Sequence, residues 1–201
     1  MKIKEGGTFI NFGCFDGVTN DPIYEYIVKY KLNGYFVDAN FTNLISCKEK
    51  FTEGKFTFEG LGINTVSGDH TFYEPRKIEK VPEWFYQTGT FDFNKVKEIC
   101  GKLKLSLNSY SEKIIKCETI DEFIINRNIK DIEIINLDLE GLDSSVIRQF
   151  PFHFVKPKVI IIEIINENGF DESTYKYICS KGYTSDRNPI TDWSVKFTLR
   201  E

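Results

Sequence analysis

Residues Thr8 to Asn40 constrain the fold more tightly than any other part of the chain. Thr8-Phe9-Ile10-Asn11-Phe12 is an apolar run of strand length. It breaks at a glycine turn, Gly13-Cys14-Phe15-Asp16-Gly17. Asp21-Pro22 then reads as an N-cap followed by proline in the first helical turn, and Ile23, Tyr26, Ile27 and Tyr30 recur at helical spacing. Asn33-Gly34 stops that helix, and Tyr35-Phe36-Val37 forms a second strand ending at Asp38-Ala39-Asn40. The order strand, turn, helix, strand predicts a parallel β-α-β unit inside a sheet covered by helices on both faces.

Such a unit makes a nucleotide site for physical reasons. Glycines after the first strand allow close approach to the backbone, and a helix N-terminus offers unpaired N–H groups. A carboxylate at the tip of the second strand can accept both ribose hydroxyls of an adenosine. Asp38 follows Gly13 by 25 positions, close to the ~20 of a dinucleotide fold. The double-glycine turn that a diphosphate needs is absent, however, because the pattern is G-x-x-x-G from Gly13 to Gly17. S-adenosyl-L-methionine (SAM), with an adenosine but no phosphate, suits this turn better than a nicotinamide dinucleotide does.

Composition bounds the alternatives. A chain of 201 residues with 41% hydrophobic and 28% charged content is expected to form one soluble domain. A net charge of −4 argues against a nucleic-acid surface. The longest apolar run, Val159 to Ile165, contains Glu163 and is too short for a membrane span. The start, Met1 to Gly7, has no apolar signal core, so a cytoplasmic location is expected. Five widely spaced cysteines without a C-x-x-C pair predict reduced, mostly buried thiols.

Further along, a helix is expected over Phe41 to Phe51 with Leu44, Ile45 and Cys47 inward. Phe56 to Ser67 reads as a third strand region, and Gly68-Asp69 as a turn into an antiparallel partner at His70 to Glu74. Pro75 to Tyr110 is aromatic and loop-like, with Trp84, Phe85 and Tyr86 as a lid or a packed flap. Ser111 to Glu118 is a strand, and Thr119 with Glu122 forms a capping box. Ile132 to Leu139 and Lys158 to Ile164 are core strands; helices run through Val146, Ile147 and Phe150 and over Asp171 to Ser180. Asp192 to Thr198 alternates as a final strand. The expected fold is α/β and Rossmann-like, a mostly parallel sheet with an antiparallel C-terminal strand. Asp16, Asp38, Asn64, Asp138, Glu140 and Glu163 all fall at strand ends, where open α/β sheets bind ligands.

With these landmarks placed, the chain resembles the FkbM-type SAM-dependent methyltransferases, a class I family. Ile10 to Gly17 is similar to the family's V-D-[VI]-G-A-N-x-G, and Val37 to Asn40 to its acidic E-P-[ND] turn. Asn64 to Ser67 with Gly68 and Phe72-Tyr73 resembles its third-strand hairpin. Thr119 to Phe123, then Asn136 to Asp143, is similar to T-L-D-[ED]-[FLW] followed by [KI]-x-D-[VI]-E-G-x-E, and Pro157 to Glu163 to its fifth strand. Asn11 stands in place of the usual aspartate, Cys14-Phe15 in place of alanine and asparagine, and Ala39 in place of proline.

The resemblance implies a single methyltransferase domain over residues 1–201 with SAM as cofactor. It places Gly13, Gly17 and Asp16 at the methionine end, Asp38 on the ribose, and Asn64 and Thr65 near the adenine. Plain turn or capping roles compete for Asp16, Asp38, Asn64 and Thr65. Asp138 and Glu140 are the candidate catalytic pair, as base or as orienting groups for an acceptor hydroxyl, with backbone satisfaction near Gly141 as the competing role for Glu140. No metal is expected, since no histidine is spaced near these acids. His70 and His153 are read as structural or solvent-facing. The implied activity is O-methylation of a sugar, glycan or other hydroxylated small molecule. A catalytically inactive binding subunit of the same fold is the alternative, motivated by the substitutions at Asn11 and Cys14-Phe15. No extra helix is expected ahead of the first strand, so the acceptor pocket is expected to be open or completed by a second copy.

Overall fold

The computed structural model describes residues 2–166, 169–191 and 193–200. A seven-stranded sheet runs β11-β12-β8-β7-β1-β2-β3. Its parallel strands are β1 (Thr8–Phe12), β2 (Asn33–Asp38), β3 (Phe56–Gly60), β7 (Ile134–Leu137) and β8 (Val159–Glu163). The last two, β11 (Tyr183–Thr184) and β12 (Ser194–Leu199), are antiparallel. A three-stranded side sheet joins β4 (Gly62–Ile63), β5 (Gly68–Pro75) and β6 (Tyr110–Glu118) in the order β4-β6-β5, and β9 (Ile165–Asn166) pairs with β10 (Gly169–Phe170). Of the expected final strand, Asp192 lies outside the described residues, as does Met1 of the N-terminal run.

The period-two alternation of the strands divides the core. Phe9, Ile134 and Ile161 face α1 (Tyr24–Tyr30) and α2 (Phe41–Lys50), where Ile27, Leu44 and Cys47 close the layer. Ile10, Phe12, Ile135 and Ile160 face the other way, against Phe123 of α4 (Ile120–Asn126), Val146 of α5 (Asp143–Val146) and Ile178 of α6 (Glu172–Ser180). Each such side chain, taken fully out of water, contributes about 1.5–3 kcal/mol. One glycine is required by geometry here. Gly34, at φ +152°, would put a Cβ 1.9 Å from the Phe9 carbonyl oxygen, so β2 can lie against β1 only without a side chain there.

Several expectations change. Helix α1 starts at Tyr24, because the Asp21 carboxylate bonds the Ile23 N–H at 2.8 Å and holds Asp21 to Ile23 in a turn. It ends at Lys31 in the left-handed region, so Asn33 and Gly34 belong to β2 rather than to the stop. On α2, Ile45 is 48% exposed; only Leu44 and Cys47 point inward. The third strand region splits between the two sheets, and β5 does not fold back on β4. It pairs with β6 from Gly68↔Cys117 to Pro75↔Tyr110, a long-range ladder that local turn signals do not announce. The 75–110 stretch contains a helix, α3 (Phe93–Leu103), with Asp92 as N-cap and Val96, Ile99 and Cys100 buried. The capping box at Thr119 and Glu122 forms as expected. Cys14, Cys47, Cys100 and Cys117 are buried thiols and Cys179 is half-buried.

Candidate active site

The strand register builds the site. Val37, Phe12, Leu137 and Ile162 are level across β2, β1, β7 and β8, so the next residue on each strand is Asp38, Gly13, Asp138 and Glu163. A cavity of about 1270 Å³ opens above this row. It exceeds the roughly 300–1,000 Å³ of a single-ligand site, so it has room for a cofactor beside an acceptor. Its roof is the 84–102 segment, contributing Trp84, Tyr86, Phe91 and Lys95, with Trp193 at the β12 side. Phe85, between two lining aromatics, is instead fully buried with Val96 and Tyr110. The roof is tied to the floor where the Thr90 hydroxyl donates to the Glu140 carbonyl at 3.1 Å.

The glycine turn is closed on itself. Gly13 N–H and Cys14 N–H donate to the Val37 carbonyl, and Gly17 N–H to the Cys14 carbonyl. Gly13 lines the cavity at φ +72°, and a Cβ there would lie 1.8 Å from the Asp138 carbonyl oxygen. The missing side chain therefore lets β1 and β7 meet at their tips. A Cβ on Gly17 would strike Phe51, Cys47 and Phe36, so that glycine serves packing under α2, away from the cavity lining.

Asp38 is buried and lines the cavity. Its Oδ2 accepts the Phe15 N–H at 2.8 Å and its Oδ1 the Asn40 N–H at 2.7 Å, with Asn43 Nδ2 at 3.4 Å from both. Each oxygen thus has two donors, the weaker being the long Asn43 contact, which a ligand hydroxyl can displace. Asp16 does not line the cavity. It accepts from the Val18 and Thr19 N–H groups and the Thr19 hydroxyl, and pairs with Lys50. Burial raises its carboxyl, but these partners outweigh burial and hold it at about 2. Asn64 and Thr65 are also outside the lining. Asn64 Oδ1 accepts its neighbour's N–H, and the Thr65 carbonyl accepts from Gln149.

The opposite end of the row is acidic. Asp138, Glu140 and Glu163 line the cavity, with Asp143 behind them bonding the Leu139 and Gly141 N–H groups at 2.9 and 3.3 Å. Glu140 occupies the left-handed region at φ 49°, which turns the chain back over the strand tip. Its carboxylate lies 3.9 Å from Lys95 on α3. Enclosure by the surrounding protein, reinforced by neighbouring carboxylates, raises Glu163 to about 8 and Asp138 well above the ordinary range. Glu140 stands at about 7, where burial and Asp143 outweigh Lys95. Asp21 and Asp38 are each raised by burial to about 6, against the hydrogen bonds they accept. Asp138 is exposed only in the sense that it faces the cavity, so the low-dielectric mass around that cavity still acts on its charge.

Sequence reasoning missed one group here. Asn136, on β7 and buried, donates through Nδ2 to Asn11 Oδ1 at 2.9 Å, and Asn11 Nδ2 donates to Asp21. Asn136 Oδ1 has no hydrogen-bond partner. The signal was available: two asparagines at matched positions of neighbouring apolar strands are costly unless they bond each other. His70, bonded to the Val66 carbonyl, and His153 are outside the lining, and no group of three or more candidate metal ligands exists among the described residues.

Residues 38–185 match the sequence pattern of the methyltransferase FkbM domain. The chain belongs to the FkbM methyltransferase family. Among solved structures, methyltransferase FkbM from Methylobacillus flagellatus KT superposes with a TM-score of 0.59 at 15% identity, over 99% of this chain and 45% of that one. The present chain thus spans less than half the length of that relative. The fibrillarin/Nop5p complex gives a TM-score of 0.50 at 9% identity, over 100% of this chain and 76% of that one. At these identities the structures speak for the fold, which is that of the class I methyltransferases. No protein of curated function is detectably similar in sequence. Among the described residues no helix is long and apolar enough to cross a membrane.

Proposed function

We propose that this FkbM-family methyltransferase uses SAM to methylate a hydroxyl of a small acceptor, with a sugar or glycan as the preferred class, and that residues 1–201 act as one catalytic domain. The observation that carries the reading is the cavity over the row Asp38, Gly13, Asp138 and Glu163, with a carboxylate held by two backbone N–H groups at one end and carboxylates that receive no hydrogen bond from the described residues at the other. The residues fit the cofactor. Two ribose hydroxyls can take the place of the long Asn43 contacts on the Asp38 oxygens, and an acidic wall suits a molecule with a net positive charge. Asp16, Gly17, Asn64 and Thr65 are left out of this contact set because they do not line the cavity.

The cofactor, when bound, supplies a methyl group on a sulfonium. The protein's task is to align the acceptor oxygen in line with that methyl and to receive its proton. Glu140 is poised for the proton: at about 7 its carboxyl is near balance at neutral pH, as a general base should be. Asp138 holds the hydroxyl from the strand tip. Lys95 stabilises the ionised form of Glu140 from the roof side.

Calorimetric titration with S-adenosylhomocysteine (SAH), with NADH as control, tests the cofactor class. Micromolar binding of SAH alone is expected. Binding of neither, or of NADH, overturns the reading.

A further inference from the structure

The cavity wall at the Asp138 end is acidic, with Thr191, Trp193 and Ser194 beside it on the β12 side and Lys95 on the roof. No hydrogen bond reaches the carboxylates of Asp138 or Glu163 from the described residues, and the nearest cation to Glu140 stands off at 3.9 Å. Asn136, one strand residue below the tip, is 2% exposed and adds an unpartnered carbonyl oxygen to the same wall. That oxygen is independent of the charged cluster and requires a donor. Among the described residues that line the cavity, Asp21, Asp38, Glu98, Asp138, Glu140 and Glu163 stand against the cations Lys95 and Lys102. A cofactor with a single net positive charge leaves this wall acidic.

Aromatic groups stand at the mouth. Trp193 is 43% exposed, and its carbonyl accepts the Ile164 and Ile165 N–H groups, directly after Glu163. Trp84, 41% exposed on the roof side, already has the Lys102 ammonium 5.9 Å from its ring. Trp193 and Glu163 line the same cavity, and an indole face together with a carboxylate is a combination that recognises ammonium groups.

We propose that the acceptor carries a cationic nitrogen, such as the protonated amine of an amino sugar, held at the Glu163 and Trp193 end of the cavity. The inference rests on the methyl-transfer reading above and names its substrate class. The amine is the handle, and the hydroxyl presented to Asp138 and Glu140 remains the methylated atom. Neutral sugars satisfy Asn136 but leave the carboxylates holding protons. An ammonium displaces those protons, so its binding tightens as pH rises.

The test uses the SAH-saturated protein titrated with matched pairs, glucosamine against glucose and galactosamine against galactose. The amine of each pair is expected to bind about ten-fold more tightly or better, one charge-assisted contact. The preference grows from pH 6 to pH 8. It disappears in Glu163→Gln and weakens in Trp193→Ala, whose exposed side chain leaves the fold intact. Equal or tighter binding of the neutral sugars, no binding by either member, or a preference that survives in Glu163→Gln overturns the proposal. SAH affinity is read in the same titration. Its absence defeats the cofactor reading, whereas SAH binding without amine preference defeats only this inference.

Discussion

Two carboxylates on either side of the short strand β7 have opposite surroundings. Glu133, below it, is fully buried, yet Lys158 Nζ lies 2.7 and 2.9 Å from its oxygens and the Lys4 N–H donates at 2.8 Å. Asp138, above it, faces a large cavity and receives no hydrogen bond among the described residues. The N-terminal edge of the sheet is thus completed by the chain's own groups, and the C-terminal edge is left for a ligand to complete. Stability and chemistry are separated along one strand.

The comparison breaks hardest at Glu133. Replacing Lys158 with alanine leaves a buried charge unpaired and is expected to cost about 3 kcal/mol or more by urea unfolding, with SAH affinity of the folded protein unchanged. Asp38 comes next. Asp38→Ala strands the Phe15 and Asn40 N–H groups, so it loses about 1–3 kcal/mol as well as SAH binding. Undiminished SAH affinity there removes the ribose assignment. The strand-tip acid is thus not the dispensable surface group its sequence position suggests.

Asp138→Asn removes no accepted bond. At neutral pH its stability should equal or exceed that of the native protein, because a carboxyl that burial and neighbouring acids disfavour is gone, while turnover falls about a hundred-fold and SAH still binds. A stability loss like that of Lys158→Ala would make Asp138 structural. The last effect is with pH. Glu163 has a folded-state value of about 8 against 4.5, so its stabilising protonation is complete below about 4.5 and is lost as pH rises through about 8. The ligand-free melting temperature should fall between pH 6 and pH 8.5, by about 2–4 °C for each kcal/mol lost. Glu163→Gln should flatten that slope, and an unchanged slope would place the titration elsewhere.

Much of this was legible in the chain. The β-branched run Val159 to Ile164 could only be a central strand, and the acids at Asp38, Asp138 and Glu163 could be counted to strand tips. What failed has physical causes. Helix α3 was passed over although Asp92, Val96, Ile99, Cys100 and Leu103 carry a cap and helical spacing, because the surrounding prolines and aromatics read as loop. The β5 and β6 ladder joins segments separated by that whole excursion, and no local pattern specifies it. Gly17 and Asp16 sit in the right turn but face α2, and direction is not encoded in spacing.

The side-sheet ladder has an evolutionary consequence. Because Pro75 and Tyr110 are register partners, residues 76–109 leave the sheet and return to it at adjacent points. That stretch can therefore lengthen, shorten or be replaced wholesale without shifting a strand of the central sheet. It also carries Trp84, Tyr86, Phe91 and Lys95, the roof over whatever is methylated. The architecture makes this stretch a cassette that can be exchanged over an unchanged cavity floor, provided Thr90 still fastens it to Glu140.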